Sequence, residues 1–247
     1  MQKIILLFIV LMVFSSLGYA QDSTQGFHFS LGTSNAGVGI GDVRRYSGLH
    51  LNVDDQMLES INGINLSFVS QDRLHPVESR CNGIALSILN NNFTVVNGIS
   101  ASVLAELSPN VNGLSIGLFG NGGNVRNGIS FGGIILVAHR LNGIGAAIVA
   151  TSADTINGLS IALIGNRTFS GTRPLAYATG VVISGLIQDL RVMNGIGIAP
   201  YNSTAIANGI QIGLYNTTNQ LHGLQIGILN HAENSVIPWF PGINIGW

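Results

Sequence analysis

The chain has 247 residues, of which 9% are charged and 33 are glycine, and its formal net charge is −1. Ordinary soluble domains carry roughly 25% charged residues, so something other than a charged surface keeps this protein in place, and the lack of a basic excess excludes the electrostatic footprint of a nucleic-acid binder. Residues 21–247 suffice for one large all-β domain or one long repeat array, so length does not force a second domain.

The first segment reads as an address. Lys3, the unbroken apolar run Ile4 to Phe14 and the small-residue site Gly18-Tyr19-Ala20 have the layout of a secretory signal peptide over residues 1–20, cleaved after Ala20. The run is too short for the ~20 apolar residues of a spanning helix. Gln21, not Cys, follows the cut, so a lipid-anchored N-terminus is not indicated. The single cysteine, Cys81, excludes an internal disulfide. It stands where other repeats carry Ile, Val or Leu and is read as a small buried hydrophobe.

Downstream the chain repeats. Gly48, Gly63, Gly83, Gly98, Gly113, Gly128, Gly143, Gly158, Gly180, Gly195, Gly209, Gly223 and Gly242 mark units of one register, mostly preceded by Asn, with five successive steps of fifteen residues between Gly83 and Gly158. Gly26 and Gly37 look like two further units at tighter spacing. After each glycine the first, third and fifth residues are large and apolar, and the second and fourth are small or polar: Leu114, Ile116 and Leu118 against Ser115 and Gly117. Period two over such a window predicts a strand with two unlike faces. Asn-Gly tolerates positive φ and signals a turn or bend. Glu106, Arg126, Arg140 and Asp154 all lie between the alternating runs, which predicts that charge is confined to turns.

Two architectures fit these units. In an outer-membrane barrel each unit is one strand of ~9–11 residues plus a turn, and the large aliphatic residues face lipid. In a β-solenoid each unit is one coil of 14–15 residues, with the aliphatics stacked inside, an asparagine row at a corner (Asn90, Asn202, Asn216, Asn230) and small residues covering a flat outer face. The long spacings after Gly63, Gly158 and Gly223 fall at one parity, as alternate connections of an antiparallel barrel would. The closing "GINIGW" has the aromatic terminus of a barrel strand, and no polar capping unit is evident. Uniform spacing and the apolar sixth residue (Val69, Phe119, Ile164) favour the solenoid. The antiparallel barrel of about 14 strands is therefore the leading expectation and the solenoid its alternative.

The segments "INGINLSF", "VNGLSIGLFG", "INGLSIALIG", "NGIQIGLYN" and "LHGLQIGILNHAENSVIPWFPGINIGW" resemble the tandem repeats of bacterial surface-repeat proteins first named in leptospires and found among exported proteins of other Gram-negative bacteria. The similarity runs from about Gly48 to Trp247. It implies an exported, envelope-associated protein and supplies no catalytic residues.

Little in the chain suggests chemistry. His28, His50, His75, His139, His222 and His231 are scattered, with no pair at metal-ligand spacing. His222 replaces the Asn of the repeat and is read as a turn residue. "GVGIGDV" at Gly37 has the look of a phosphate-binding loop, but it alternates as a strand and no helix pattern follows. No Gly-x-Ser-x-Gly elbow occurs. Asp54, Asp55 and Glu59, and the group Asp72, Arg73, Glu78 and Arg80, are read as solvated loops. Asn166-Arg167-Thr168 and Asn216-Thr217-Thr218 mark exposed turns. The expectation is a non-enzymatic protein without metal or cofactor. It is a structural or channel-like barrel in outer-membrane lipid or, alternatively, a secreted solenoid presenting its small-residue face for adhesion or ligand binding.

Overall fold

The structure, a computed structural model, describes residues 28–55, 57–70, 78–167 and 177–247. The signal segment, Gly26, Asp72, Arg73, His75 and Thr168 lie outside these. Among the described residues the chain is all β, without helix, and winds into a β-solenoid of about 12 turns.

Neighbouring strands are parallel and stack glycine on glycine. Asn110–Gly117 lies between Val95–Ser102 and Gly120–Gly132, which aligns Gly98, Gly113 and Gly128. Ile135–Ala147 and Ala150–Ala162 continue the series with Gly143 and Gly158. The register holds from Gly37 to Gly223. This corrects the barrel expectation, because transmembrane barrels join neighbours antiparallel and here each coil returns to lie parallel on the last. Only the two outer pairs are antiparallel: His28–Thr33 on Ala36–Gly41, and Trp239–Gly246 on Tyr215–Ala232. Those reversed strands are the caps the sequence had not revealed. The third long spacing is such a reversal, so Gly242 leaves the ladder and faces Gly227.

The Asn-Gly signal belongs to the middle of a strand, not to a hairpin turn. Gly113 has φ +136, and a Cβ built on it would sit 2.1 Å from the Gly98 carbonyl oxygen. Only glycine adopts such a conformation without strain and leaves the next coil room to approach. The asparagines before these glycines form an outer ladder in which each Nδ2 donates to the Oδ1 of the coil before. It runs from Asn62 through Asn82, Asn97, Asn112, Asn127 and Asn142 to Asn157, at 2.7–2.9 Å. His222 takes the same place above Asn208.

The faces are the reverse of those expected for a solenoid. The small residues point inward: Ser100, Ser115, Ser130, Ser160 and Ala162 are buried, while Ile129, Ile144 and Ile161 are exposed. A coil of fourteen or fifteen residues encloses a narrow interior, and the second and fourth positions hold mostly Ser, Ala and Gly there, with polar His50, Asn65, Gln211 and Gln225 at the second position of the first and last coils. The apolar core comes instead from the residue two before each glycine: Ile61, Cys81, Val96, Val111, Leu141, Ile156, Met193 and Leu221 stack as a buried spine. Cys81 is thus the small buried hydrophobe expected, and burial raises its thiol pKa to about 12. Side chains fill the interior, which removes the channel-like lumen of the barrel reading.

At the far bend an inner amide column caps the backbone. Asn202 donates to the carbonyls of Ala199 and Ile212 and to Asn216, and Asn216 donates to Ile226 O and Asn230. The expected row therefore exists at Asn202, Asn216 and Asn230. Its earlier member is Asn91, not Asn90, donating to Ala85 O and Ala101 O.

Gly113→Ala should cost at least about 3 kcal/mol, since it adds steric overlap to a backbone region reserved for glycine. Gly242→Ala, at φ +85 with nothing within 4 Å of the new Cβ, should cost about 1–2 kcal/mol. Denaturant unfolding of the two variants side by side checks this contrast.

Candidate functional site

Each coil has three kinds of outward position, and the stack repeats them as columns. The first and third residues after glycine form an aliphatic wall, with Ile64, Ile129, Ile144 and Ile161 all exposed. The fifth and sixth stand at the bend that follows, where Leu118, Phe119, Ile148 and Leu163 form an exposed corner. The residues three and four before glycine form a polar edge beside the asparagine ladder. There Arg45 Nε meets Glu59 Oε2 at 3.1 Å and His139 Nδ1 meets Asp154 Oδ2 at 2.8 Å, and Arg80 meets Glu78, one position further from the glycine, at 3.0 Å. The cross-section is amphipathic, with hydrocarbon on the wall and corner and charge on the edge.

Two polar clusters are sealed inside. Near the first coils, His50 Nδ1 meets Asn65 Oδ1 at 2.7 Å and Nε2 meets the Gly41 carbonyl at 2.7 Å, while Asn65 Nδ2 donates to Asp55 Oδ2 at 2.6 Å. His50 lies 3.7 Å from Asp55. Asp55 is therefore interior rather than part of a solvated loop, and burial pushes its carboxyl above the ordinary range, opposed by Asn65 and the charge of His50.

The second cluster replaces part of the core spine. Arg126 takes the place that Val111 and Leu141 occupy in adjoining coils and is fully buried. Its Nε donates to Asn121 Oδ1 at 2.8 Å and its Nη1 to Ser108 O at 2.6 Å, with Nη2 donating to Gly122 O. Gly123 leaves room for the guanidinium, since a Cβ there would lie 2.6 Å from Nη1. Glu106 is the counter-charge; it accepts from Ser100 Oγ at 2.5 Å and Ser108 N at 3.0 Å. Burial raises the Glu106 carboxyl, opposed by these hydrogen bonds and by Arg126, and lowers the Arg126 guanidinium to about 10. Glu106 and Arg126 are thus core groups and not turn residues, and Arg140 and Asp154, though outward, lie within the strands Ile135–Ala147 and Ala150–Ala162 and not in turns, which corrects the expectation for all four. The cluster separates two apolar groups, one around Ile61, Phe93 and Val96 and one around Leu141, Ile156 and Met193.

The remaining histidines do not converge. His28 packs edge-on to Tyr46, and His231 stacks on Trp239 at 4.1 Å. Among the described residues no group of three His, Cys, Asp or Glu side chains could hold a metal ion. "GVGIGDV" forms the strand Ala36–Gly41 and its continuation. Glu78 and Arg80 pair on the polar edge, and Asn166 is buried, donating to Ile183 O and Ser184 Oγ. No family model matches the chain, and no curated protein or solved structure matches it.

Sequence reading missed the spine as a continuous core column and, of the inner asparagines, placed Asn90 where Asn91 stands. The signal was present in the apolar residue before each Asn-Gly (Val96, Val111, Leu141, Ile156), one step outside the window in which alternation was read.

The charge pair yields a double-mutant prediction. Removing one partner strands a buried charge, so Arg126→Leu and Glu106→Asn should each cost about 3–5 kcal/mol, while the double variant, which copies adjoining coils, should return to within about 1 kcal/mol of the parent. A carboxyl raised above its unfolded-state value contributes stability while protonated and loses it as pH rises through the folded-state value. The parent should therefore lose stability as pH rises above about 4.5, and the double variant should lose less. Denaturant unfolding across that range measures both effects.

Proposed function

We propose that the protein is a non-enzymatic, exported cell-surface solenoid whose working part is its aliphatic wall and corner, used for adhesion or ligand binding. The observation that carries this reading is the exposure of large aliphatic side chains on coil after coil from Ile64 to Ile228. Monomeric proteins rarely leave contiguous apolar patches beyond roughly 300–600 Å² uncovered, and larger ones mark interaction surfaces. The binding face is thus the aliphatic one, not a small-residue face.

Two further features support the reading. The reactive groups that the fold gathers, Cys81, His50, Asp55 and Glu106, are sealed in the interior, which suits structural roles better than catalysis. The resemblance to Gram-negative surface-repeat proteins and the signal-like residues 1–20 support a solenoid outside the cytoplasm, attached to or released from the envelope.

Expression in a Gram-negative host should yield a mature N-terminus at Gln21 by intact-mass measurement, and a chain accessible to protease added outside the cell or recovered in the medium. Retention of Met1 on a cytoplasmic chain would overturn the reading.

A further inference from the structure

We propose that the aliphatic wall and corner dock on the hydrocarbon surface of a lipid bilayer, with the solenoid lying in the membrane plane and its polar edge turned to water. This rests on the reading of the wall as the working surface and names what covers it. Three observations favour a fluid hydrocarbon phase over a folded partner, including a second copy of this chain.

The first is shape. Exposure is greatest at the convex corner and not on the flat wall: Leu163 and Ile228 are 65% and 71% exposed, against 38% for Ile161. A rigid partner seated on the wall would leave the corner in water. A bilayer surface yields to a ridge and wets both.

The second is chemistry. From Gly63 to Gly223 wall and corner consist mainly of Ile, Leu and Val with occasional Phe, Ala and Tyr, without charge, whereas protein interfaces are anchored by aromatic and arginine residues set among hydrogen-bonding groups. The backbone beneath is paired coil to coil in the parallel ladder, so burial in hydrocarbon strands no amide along the wall. Away from it, the polar edge carries Arg45, Arg80, Arg140 and Asp154 in two neighbouring columns, interrupted in other coils by Val95, Val125, Val192 and Ile206.

The third is the margin. Past the corner, Tyr201 and Tyr215 stand in register with Ile187, their rings 5.5 Å apart, and Trp239 stacks on Tyr215 at 6.1 Å. Two residues further along the strand these later coils turn polar, with Asp189, Ser203 and Thr217, where an earlier coil carries Val137. On this margin amphipathic aromatic rings therefore border the apolar surface, as they do where proteins meet the headgroup layer.

The test is flotation of the purified exported chain with neutral phosphatidylcholine vesicles. The chain should float with the vesicles equally at low and high salt, because the contact is uncharged. Bromine-labelled acyl chains should quench tryptophan fluorescence. The triple variant Leu118→Thr, Ile148→Thr, Leu163→Thr should keep its β circular dichroism and lose at least about tenfold in vesicle affinity. The corner lies outside the core, so this variant leaves the spine intact; Ser203→Thr, on the polar side of the tyrosine margin, should leave flotation unchanged.

Three outcomes would overturn the proposal. The chain could stay in the aqueous fraction, or it could float only with anionic vesicles at low salt, which would assign binding to the polar edge. It could also form a dimer in sedimentation that the corner variant dissociates while vesicles are ignored, which would assign the wall to a second copy. Each can occur with export and surface exposure intact, so failure here is distinguishable from failure of the functional reading.

Discussion

Every coil is placed on the one before by a glycine that has no room for a side chain. From Gly48 to Gly223 a Cβ would approach the preceding glycine's carbonyl oxygen to 2.1–2.3 Å, and φ at each lies where L-residues are strained. That close approach fixes the register, and fixed register in turn aligns every other position into a column. The outer asparagine ladder, the spine from Ile61 to Leu221, the inner amides and the aliphatic wall all follow from it. A one-residue slip would turn the wall inward and the serines outward.

The narrow coil sets the energetics. With small or polar residues at two of its inward positions, the solenoid has less apolar core than an ordinary domain of its length, and its interior carries amides and hydroxyls that must be satisfied. Repetition meets that demand: Asn202, Asn216 and Asn230 each use the next coil's carbonyl or amide as a partner, and Gln225 donates to Gln211 at 2.8 Å. Where the pattern breaks, the break is compensated locally. Arg126 in the spine comes with Glu106, Asn121 and the gap at Gly123. Such a cluster contributes little net stability, because desolvating its charges offsets their pairing.

Much of this was legible in the sequence, though unevenly. The repeat, its register from Gly48 and the strand character of each unit were plain from spacing and alternation, and so was the burial of Cys81. Parallel stacking was not, because the fifteen-residue period suits a tilted strand with its turn as well as a closed coil. The facing of the strands was misjudged for the solenoid by assuming that large apolar residues fill any core. The barrel expectation had the right sense, with aliphatics outward and Ser, Gly, Ala, Gln and Asn inward, on the wrong connectivity. Glu106, Arg126 and Asp55 were read as turn or loop charges because burial of a charge depends on how the coil folds over it: their partners, Ser100 and Ser108 for Glu106 and His50 and Asn65 for Asp55, lie within ten residues but give no sign in the sequence that they face inward. The aliphatic wall could be recognised as a surface only after the faces were known.

The parallel, glycine-registered stack is the claim on which everything else depends, and distances along one outward column test it most directly. Ile99, Leu114, Ile129, Ile144, Leu159 and Val181 stand in successive coils. Spin labels placed in the pairs Ile99/Ile144, Ile99/Leu159 and Ile99/Val181 should give distances that rise steadily, by about 4.8 Å for each added coil. An antiparallel arrangement would send successive labels to opposite ends of their strands, and distances that alternate between long and short would contradict the stack.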